Sequence, residues 1–455
     1  MSENDGLDRR ALLKQAGLSV VAGAMAAATP VAATSAGAAS YGAAGTSYDF
    51  DTVYSRIGTD SVKWDDPIAK YGKDNIAAAM GIADMDFRCA PFITDAIRDR
   101  VAHENWGYLS VPKSFTEAIL KWNKERHGIT INPDHLEITT GLHPGLTAAL
   151  RAFSPPGTKV LLTTPTYNGF YGDLRRTGTV AEESRMISAN GRYAFDFDDF
   201  ERRIGHDTNV FILCNPQNPT GNCWSREELT KIGEICLRRR VVVLADEIHC
   251  DFVTKGQTYT PFATLDKEIA MNSVTFTSAS KSFGLAAMKC AWCFSDNADY
   301  MARVRANNRP DMTTLAMVAS RAAYTDGEDW LNQAVDYIDG TMDFAGRHIA
   351  ANIPLIKFVK PQGTYLAWLD VSQAMEKIGA NETADARNRK RAQNEPAVTP
   401  ETVFEEWLVK NAKVHLNTGR IYGAGGEGHM RMNLATSRKI VELALNNMAA
   451  ALRSV

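Results

Sequence analysis

The sequence predicts an α/β fold, with a large domain built on a mostly parallel sheet and a smaller α+β domain. Through the middle of the chain, short apolar runs rich in Val, Ile and Leu alternate with helical patterns, which is typical of a parallel sheet covered by helices. The last hundred residues show strands and helices without that regular alternation. Of the 455 residues, 45% are hydrophobic and 23% are charged, as in a globular protein with a large core.

The first 40 residues are predicted to be an export signal and not part of this fold. Arg9 and Arg10 are followed by Leu-Leu-Lys and a weakly apolar run to Thr29, and small residues follow Pro30. This order is that of a secretory signal, and the paired arginines resemble the twin-arginine (Tat) pattern. An Ala-rich terminal helix is the alternative, which Pro30 disfavours. We therefore expect export by the twin-arginine route, to the periplasm or outside the cell.

The large domain is predicted to span residues 96–335. Its strands are expected at residues 159–163, 210–214, 241–245, 274–277 and 291–294. A helix over 225–240 begins with a Ser-x-x-Glu capping box, which marks a helix start. Strand and helix thus alternate as a doubly wound sheet requires.

The small domain is predicted to combine residues 48–95 with residues 336–455. In its second part we expect strands at 357–359, 365–369, 414–417 and 429–433, and helices at 400–411 and 438–453. The segment 382–400 is charged and contains proline, and it is interpreted as a solvated insertion.

Charge and cysteine content disfavour several other classes of protein. Lys and Arg total 50 against 53 for Asp and Glu, a net charge of −3, so no strongly basic surface is available for nucleic acid. Cys290 and Cys293 have redox spacing but lie in an apolar strand, where ordinary buried cysteines are expected. Residues 423–428 fit G-x-G-x-x-G but precede a strand, so they predict a turn and not a dinucleotide site. Beyond residue 40 no uncharged apolar run is long enough to predict a membrane helix.

Five polar segments follow predicted strands, at the edge where a doubly wound sheet binds its ligand. They are residues 140–145 (TGLHPG), 164–167 (TPTY), 215–221 (NPQNPTG), 246–249 (DEIH) and 278–283 (SASKSF). The glycine turn of the first segment opens a helix, whose free N–H groups attract phosphate. Ser278, Ser280 and Lys289 could add hydroxyls and a cation to the same anion.

The other side chains of these segments suit an aromatic cofactor. Tyr167 offers a flat face for stacking on a ring, and Asn218 and His249 could hold a phenolic oxygen. Asp246 ends a buried strand and therefore needs a cationic partner, such as a protonated ring nitrogen. Lys281 could form a Schiff base, because burial and nearby cations lower the pKa of a lysine. Phosphate, ring, ring nitrogen and lysine together predict pyridoxal 5′-phosphate.

The same segments resemble a known family. Asn-Pro-x-Asn-Pro-Thr-Gly, Asp-Glu-Ile-His and Ser-x-Ser-Lys-x-Phe, about 30 residues apart, resemble the fold-type I pyridoxal-phosphate enzymes of the aminotransferase class I/II superfamily. Residues 61–65 (SVKWD), 83–87 (ADMDF) and 106–108 (WGY) resemble its MalY/PatB-type cystathionine β-lyase branch. The resemblance covers about residues 48–453. It implies a seven-stranded large-domain sheet and a homodimer with shared active sites.

The resemblance also implies roles by position. Lys281 would bind the cofactor covalently, Asp246 would pair with its ring nitrogen, and Tyr167 would stack on the ring. Asn218 and His249 would lie near the phenolic oxygen. The phosphate would be surrounded by Gly141, Leu142, His143, Ser278, Ser280 and Lys289.

Three further residues complete the predicted site. Arg431 would bind the α-carboxylate of an amino-acid substrate as a bidentate fork. Tyr108 would act in catalysis and reach the phosphate of the other subunit's cofactor. Ile82 is expected at the substrate mouth, where it and Gly81 replace a tryptophan of the related family. No metal site is predicted, since His249 and Asp251 alone make a weak ligand set.

The leading functional prediction is β-elimination of a sulfur amino acid to pyruvate, ammonia and a thiol, with Lys281 as general base. Transamination with a 2-oxo acid is the alternative, because the motifs do not distinguish the two reactions. From other classes, a non-catalytic pyridoxal-phosphate-binding regulator and a thiol-redox module remain as alternatives. The intact set of Lys281, Asp246, Asn218 and Arg431 argues against the regulator. The apolar strand that holds Cys290 and Cys293 argues against the redox module.

Overall fold

The structure is a computed structural model that describes residues 46–455, so the predicted export signal lies outside the described residues. Its α-helices are α1 (Asp65–Tyr71), α2 (Pro91–Val101), α3 (Lys113–His127), α4 (Leu142–Phe153), α5 (Gly169–Thr177), α6 (Phe197–Arg203), α7 (Arg226–Arg239), α8 (Lys267–Ala270), α9 (Ala279–Ser282), α10 (Ala298–Asn307), α11 (Thr314–Asp326), α12 (Glu328–Asn352), α13 (Ser372–Lys377), α14 (Ala380–Arg389), α15 (Pro400–Ala412) and α16 (Arg438–Arg453).

The strands include those that the sequence predicts, to within two residues at either end, except that the strand expected at 414–417 is divided into two short strands that belong to different sheets. They are β1 (Ala78–Ala79), β2 (Leu136–Thr139), β3 (Lys159–Thr164), β4 (Val180–Arg185), β5 (Ile187–Ala189), β6 (Arg192–Ala194), β7 (Thr208–Cys214), β8 (Val242–Asp246), β9 (Ser273–Thr277), β10 (Ala291–Phe294), β11 (Lys357–Phe358), β12 (Leu366–Asp370), β13 (Val414–His415), β14 (Asn417–Thr418) and β15 (His429–Asn433).

A seven-stranded sheet forms the centre of the molecule, in the order β2-β10-β9-β8-β7-β3-β4. Neighbouring strands are parallel from β9 to β4, whereas β10 runs antiparallel to both β2 and β9. This confirms the predicted mostly parallel α/β sheet.

The central strands are apolar throughout because both faces of the sheet are covered. In β8, Val242 and Leu244 belong to one apolar cluster, while Val243 and Ala245 belong to another on the opposite face. Alternate residues of a strand point to opposite faces, so burial of both faces leaves no polar positions. The capping box of α7 is present. The Ser225 side chain accepts from the Glu228 N–H group, and the Glu228 side chain accepts from the Ser225 N–H group.

A second, antiparallel sheet has the order β11-β12-β15-β14. Beside it, β1 from the N-terminal part pairs with β13 from the C-terminal part. The segment 382–400 differs from a featureless insertion, because its first residues continue helix α14 and bury Ala384. Residues 392–397 are exposed, as expected for a solvated segment.

Two of the sequence motifs of the N-terminal part bind each other. The Lys63 amine lies 2.6 Å from one oxygen of Asp86, and the Trp64 indole N–H donates to the other at 3.0 Å. Lys63 is almost completely buried, so its charge requires this partner. The pair fixes residues 84–86, which adjoin the candidate site.

Within residues 46–455, no helix is both long and apolar enough to cross a membrane. All seven cysteines, which lie in this part of the chain, are free thiols, including Cys290 and Cys293.

Candidate active site

Four of the five polar segments follow adjacent strands of the central sheet. Strands β9, β8, β7 and β3 are neighbours, and they lead to Lys281, Asp246, Asn218 and Tyr167 respectively. The fifth segment follows β2, which lies beyond the antiparallel strand β10. Because β10 runs the opposite way, its beginning places Lys289 at this same edge of the sheet.

Lys281 lies in α9, the four-residue helix after β9. Its amine donates to the carbonyl oxygen of Ala83 at 2.6 Å. Burial lowers the pKa of Lys281 to about 8; the Asp84 carboxylate opposes this shift and the Arg431 guanidinium adds to it. A lysine with such a pKa is partly neutral near physiological pH, as a Schiff-base nucleophile must be.

Asp246 is the last residue of β8, and only 2% of it is exposed. One carboxylate oxygen accepts from the Ile248 N–H group at 3.2 Å. Burial raises the pKa of Asp246 to about 6, although the Ile248 N–H group and the nearby His143 and Lys281 act in the opposite direction. A cation placed beside this carboxylate would stabilise its ionised form.

Arg431 on β15 reaches the site from the second sheet. Its Nη1 donates to Oδ1 of Asn218 at 3.0 Å, and its Nη2 donates to the Gly81 carbonyl oxygen at 2.7 Å. The guanidinium carbon lies 4.9 Å from the ring centre of Tyr422, within cation–π range. The buried Nε has no hydrogen-bond partner among residues 46–455, so it remains available to a ligand oxygen. Since Oδ1 of Asn218 is engaged, only Nδ2 of its amide could serve a phenolic oxygen.

His249 is buried beside these groups. Its ring packs edge-on against Tyr365, with 5.6 Å between ring centres, and Nδ1 has no partner within the described part of the chain. Burial lowers the pKa of His249 well below its usual value, and the charges of Lys281 and Arg431 lower it further. The ring is therefore neutral and suited to a hydrogen bond with a ligand oxygen.

The predicted phosphate segment forms a helix start. Gly141 has a φ of 106° and immediately precedes α4, so a residue with a side chain would be strained here. The first N–H groups of α4, from Leu142 and His143, are those left free by helix geometry. Lys289 lies close by, since a Cβ on Gly141 would stand 3.8 Å from its Cα.

Ser278 differs from the expectation of a free hydroxyl. It donates to the Cys290 carbonyl oxygen at 2.6 Å and accepts from the Ser280 N–H group at 3.0 Å. Its proton is thus used within the loop, where it shapes the turn that carries Lys281. Ser280 itself is half-buried beside it.

The His143 side chain also differs from a simple phosphate ligand. Its Nδ1 lies 2.7 Å from Oδ2 of Asp173, and its Nε2 lies 3.2 Å from the Tyr167 hydroxyl. With both ring nitrogens engaged, His143 could contribute to an anion through its backbone N–H group.

Two predicted residues lie apart from this cluster or at its margin. Tyr108 is fully exposed, on the segment between α2 and α3. Ile82 is half-buried, and its carbonyl oxygen accepts from the Asn433 side chain at 2.7 Å. At Gly81 a Cβ would stand 2.3 Å from Oδ1 of Asn417, so Asn417 occupies space next to the backbone where the related family has tryptophan.

Sequence reasoning missed several residues of the site. Tyr365 shares the Ala83 carbonyl oxygen with Lys281, its hydroxyl donating at 3.1 Å. Tyr422 lies beneath Arg431, and Asp173 binds His143. No motif marks them, although Asn433 could have been inferred from its position two residues after Arg431, on the same face of a strand.

Among residues 46–455, one group of possible metal ligands lies next to the residues assigned to the cofactor. Atoms of His127, Cys250 and Asp251 lie within 4.8 Å of one another. Asp251 is already paired with Arg126 at 2.7 Å and also accepts from Ser282. A guanidinium at this distance opposes a second cation, so the group is an ion-paired network.

The residues brought together fit pyridoxal 5′-phosphate. A free helix start with Lys289 suits the phosphate, buried Asp246 suits a protonated ring nitrogen, and Lys281 suits the aldehyde. The unpartnered His249 Nδ1 and Arg431 Nε are buried polar atoms that a ligand would satisfy.

Comparison with known proteins gives a consistent result. The model of the family described as aminotransferase class I and II matches residues 79–447. Cystathionine beta-lyase PatB of Bacillus subtilis is 35% identical over 408 residues, which are 89% of this chain and 99% of PatB.

Solved structures agree over a similar length. The pyridoxal-phosphate-bound C-S lyase from Staphylococcus hominis is 28% identical, with a TM-score of 0.78 over 90% of this chain and 98% of that one. A pyridoxal-phosphate-bound putative aminotransferase from Clostridium difficile is 31% identical, with a TM-score of 0.80 over 89% of this chain and 100% of that one.

Proposed function

The chain belongs to the aminotransferase class I and II family, and on that premise we propose that it is a pyridoxal 5′-phosphate-dependent carbon–sulfur β-lyase. Its substrate would be a sulfur amino acid such as cystathionine, and its products pyruvate, ammonia and a thiol. The observation that carries the proposal is the Lys281 amine, with a pKa of about 8, held among Asp246, Arg431 and Asp84. The names of PatB and of the Staphylococcus lyase support the choice of reaction.

The bound cofactor would supply an electron-withdrawing ring that stabilises negative charge at the substrate Cα. Asp246 would hold the proton on the ring nitrogen, since its pKa of about 6 leaves it ionised at neutral pH. The neutral His249 ring and Nδ2 of Asn218 would orient the ring through its phenolic oxygen. Tyr167 would limit movement of the ring by stacking.

Arg431 would fix the substrate by its α-carboxylate. Its contacts to Asn218 and Gly81 hold the guanidinium in one plane, and its Nε is free to donate. With the carboxylate fixed, the Cα proton would be directed at Lys281. Once the substrate amine has displaced it from the cofactor, the Lys281 amine would accept that proton. The Cα–H electron pair would form the Cα–Cβ double bond as the thiolate leaves Cβ with the C–S electron pair. Water completes the reaction to pyruvate and ammonia.

A paired assay tests this proposal against transamination. The holoenzyme is given cystathionine alone, and separately an amino acid with a 2-oxo acid. Pyruvate and thiol from the first mixture support the lyase, whereas a new amino acid from the second mixture only would replace it by an aminotransferase. Lys281→Ala is the control, and it should abolish both the products and the visible absorbance of the bound cofactor. Cofactor binding without either product would favour a regulatory protein.

We also infer that the working unit is a homodimer with shared sites. Trp106, Tyr108 and Leu109 are exposed, and residues 106–109 line an open cavity of about 630 Å³ together with residues 312–315. Exposed aromatic clusters of this kind are typical of interfaces. A second copy would cover them and bring Tyr108 of the partner subunit towards the cofactor phosphate. Sedimentation of the purified protein tests this, and a monomer at micromolar concentration would exclude it.

Export by the twin-arginine route is a separate proposal that rests on residues 1–40 alone. Arg9→Lys with Arg10→Lys should keep the full-length protein in the cytoplasm, because the paired arginines are the feature that the export route would recognise. Fractionation of the native host followed by N-terminal sequencing measures this. Recovery of the protein with an intact Met1 outside the cytoplasm, or only in the cytoplasm for both forms, would contradict it.

A further inference from the structure

His143 links a buried carboxylate to the tyrosine that faces the cofactor site. Asp173 on α5 is completely buried, and its Oδ2 lies 2.7 Å from Nδ1 of His143. A buried carboxylate accepts hydrogen bonds, so Nδ1 carries a proton. The other ring nitrogen, Nε2, then faces the Tyr167 hydroxyl at 3.2 Å.

The Tyr167 hydroxyl can donate to that nitrogen. Burial raises the pKa of Tyr167 to about 12, with Arg431 opposing and Asp246 and Asp173 adding to the shift, so the hydroxyl keeps its proton. Asp173, His143 and Tyr167 thus form one hydrogen-bonded chain. The chain begins in a buried helix position and ends on the ring edge of Tyr167.

The backbone at Gly169 packs closely against the rings of His143 and Tyr167. A Cβ on Gly169 would stand 2.4 Å from a ring carbon of Tyr167 and 2.7 Å from a ring carbon of His143. Phe170 packs edge-on against Tyr167, with 5.4 Å between ring centres. The two rings of the chain lie 5.7 Å apart at 36°. Tyr167 is therefore held by a hydrogen bond at its hydroxyl and by packing along its ring.

We propose that His143, oriented by Asp173, is a positioning residue that fixes the Tyr167 ring in the plane needed to stack on the cofactor. The inference rests on the proposed function only in that Tyr167 stacks on pyridoxal phosphate. It differs from a phosphate contact, since the imidazole points to Tyr167.

The test is a double-mutant cycle read out on cofactor binding. His143→Leu and Tyr167→Phe are made singly and together, and the dissociation constant of pyridoxal 5′-phosphate is measured along with the visible circular dichroism of the holoenzyme. Each single change should raise the dissociation constant about two- to tenfold, the range of one lost hydrogen bond. Each change should also weaken the visible circular dichroism, because the cofactor ring would no longer be held in one orientation by Tyr167. The dissociation constant of the double variant should be no higher than that of the single variant that binds the cofactor less tightly.

Tyr171→Phe is the matched control. Tyr171 lies on α5, the helix that carries Asp173. Its hydroxyl donates to Glu183 at 2.7 Å, so removal of that hydroxyl should leave both readouts unchanged. Independent, additive effects of His143→Leu and Tyr167→Phe would overturn the proposal, as would unchanged dichroism in Tyr167→Phe. Tyr167→Phe removes only one oxygen atom, so its circular dichroism still tests the proposal if His143→Leu fails to fold. Failure of the lyase proposal would appear separately, as absence of pyruvate from a wild-type protein that shows the coupling.

Discussion

Lys281 is kept from full protonation by its surroundings, and this has a measurable consequence. Burial lowers its pKa to about 8, whereas an ordinary lysine titrates near 10.4. Only the neutral amine attacks an aldehyde. In the cofactor-free protein, the rate of cofactor capture should therefore rise with pH, reach half its maximum near pH 8 and level off about one to two pH units higher. Stopped-flow absorbance between pH 6 and pH 10 measures this, with Lys281→Ala as the inactive control. A midpoint near that of free lysine would show that the amine is solvated.

Arg431 offers a second residue-level prediction. Arg431→Lys keeps the charge but loses the planar group that Asn218 and Gly81 hold. A lysine cannot form the bidentate contact with a carboxylate, so KM for the amino acid should rise about ten- to a hundredfold. Steady-state kinetics measure the change. Arg420→Lys is the control, since Arg420 pairs with Glu401, and an equal effect of both variants would contradict the assignment.

At the scale of elements, the N-terminal part contains a buried ion pair between Lys63 and Asp86, and Arg56 also approaches Asp86 at 3.5 Å. Lys63→Met leaves the Asp86 carboxylate without the amine that lies 2.6 Å away. Breaking a buried pair in this way should lower the free energy of unfolding by about 3 kcal/mol, as measured by urea denaturation. Lys63→Met combined with Asp86→Leu removes both charges and should recover part of the loss. If the double variant is less stable than Lys63→Met, the two charges do not act as a pair.

The elements show what sequence can predict and where it stops. Strand β8 was predictable because burial of both faces makes it apolar throughout, and Asp246 stands out as the charge that ends it. The antiparallel direction of β10 was not predictable, because direction depends on how the chain returns to the sheet. Asp173 and Tyr365 were missed for a similar reason, since their contacts to His143 and Ala83 join residues 30 and 282 positions apart.

At the scale of the whole molecule, a shared site can be tested by mixing inactive subunits. Tyr108→Ala and Lys281→Ala should each abolish lyase activity as pure proteins. In a hybrid dimer, one site would combine the intact Lys281 of one subunit with the intact Tyr108 of the other. Random exchange makes half of the dimers hybrid, so about a quarter of wild-type activity should return. No return of pyruvate formation, with exchange verified by mass spectrometry, would place Tyr108 outside the partner's site.

The contact between Arg431 and Gly81 can form only when nearly the whole chain has been synthesised. The two residues are 350 positions apart, so a nascent chain on the ribosome presents Gly81 long before its partner exists. Strand β1 likewise has no partner until β13 has been translated. Contacts of such long range carry a high loop-closure cost, and the one between Gly81 and Arg431 cannot form before residue 431 has been translated. The position proposed for the substrate carboxylate is therefore completed last, after the residues proposed for the cofactor, which lie between 141 and 289, have been made.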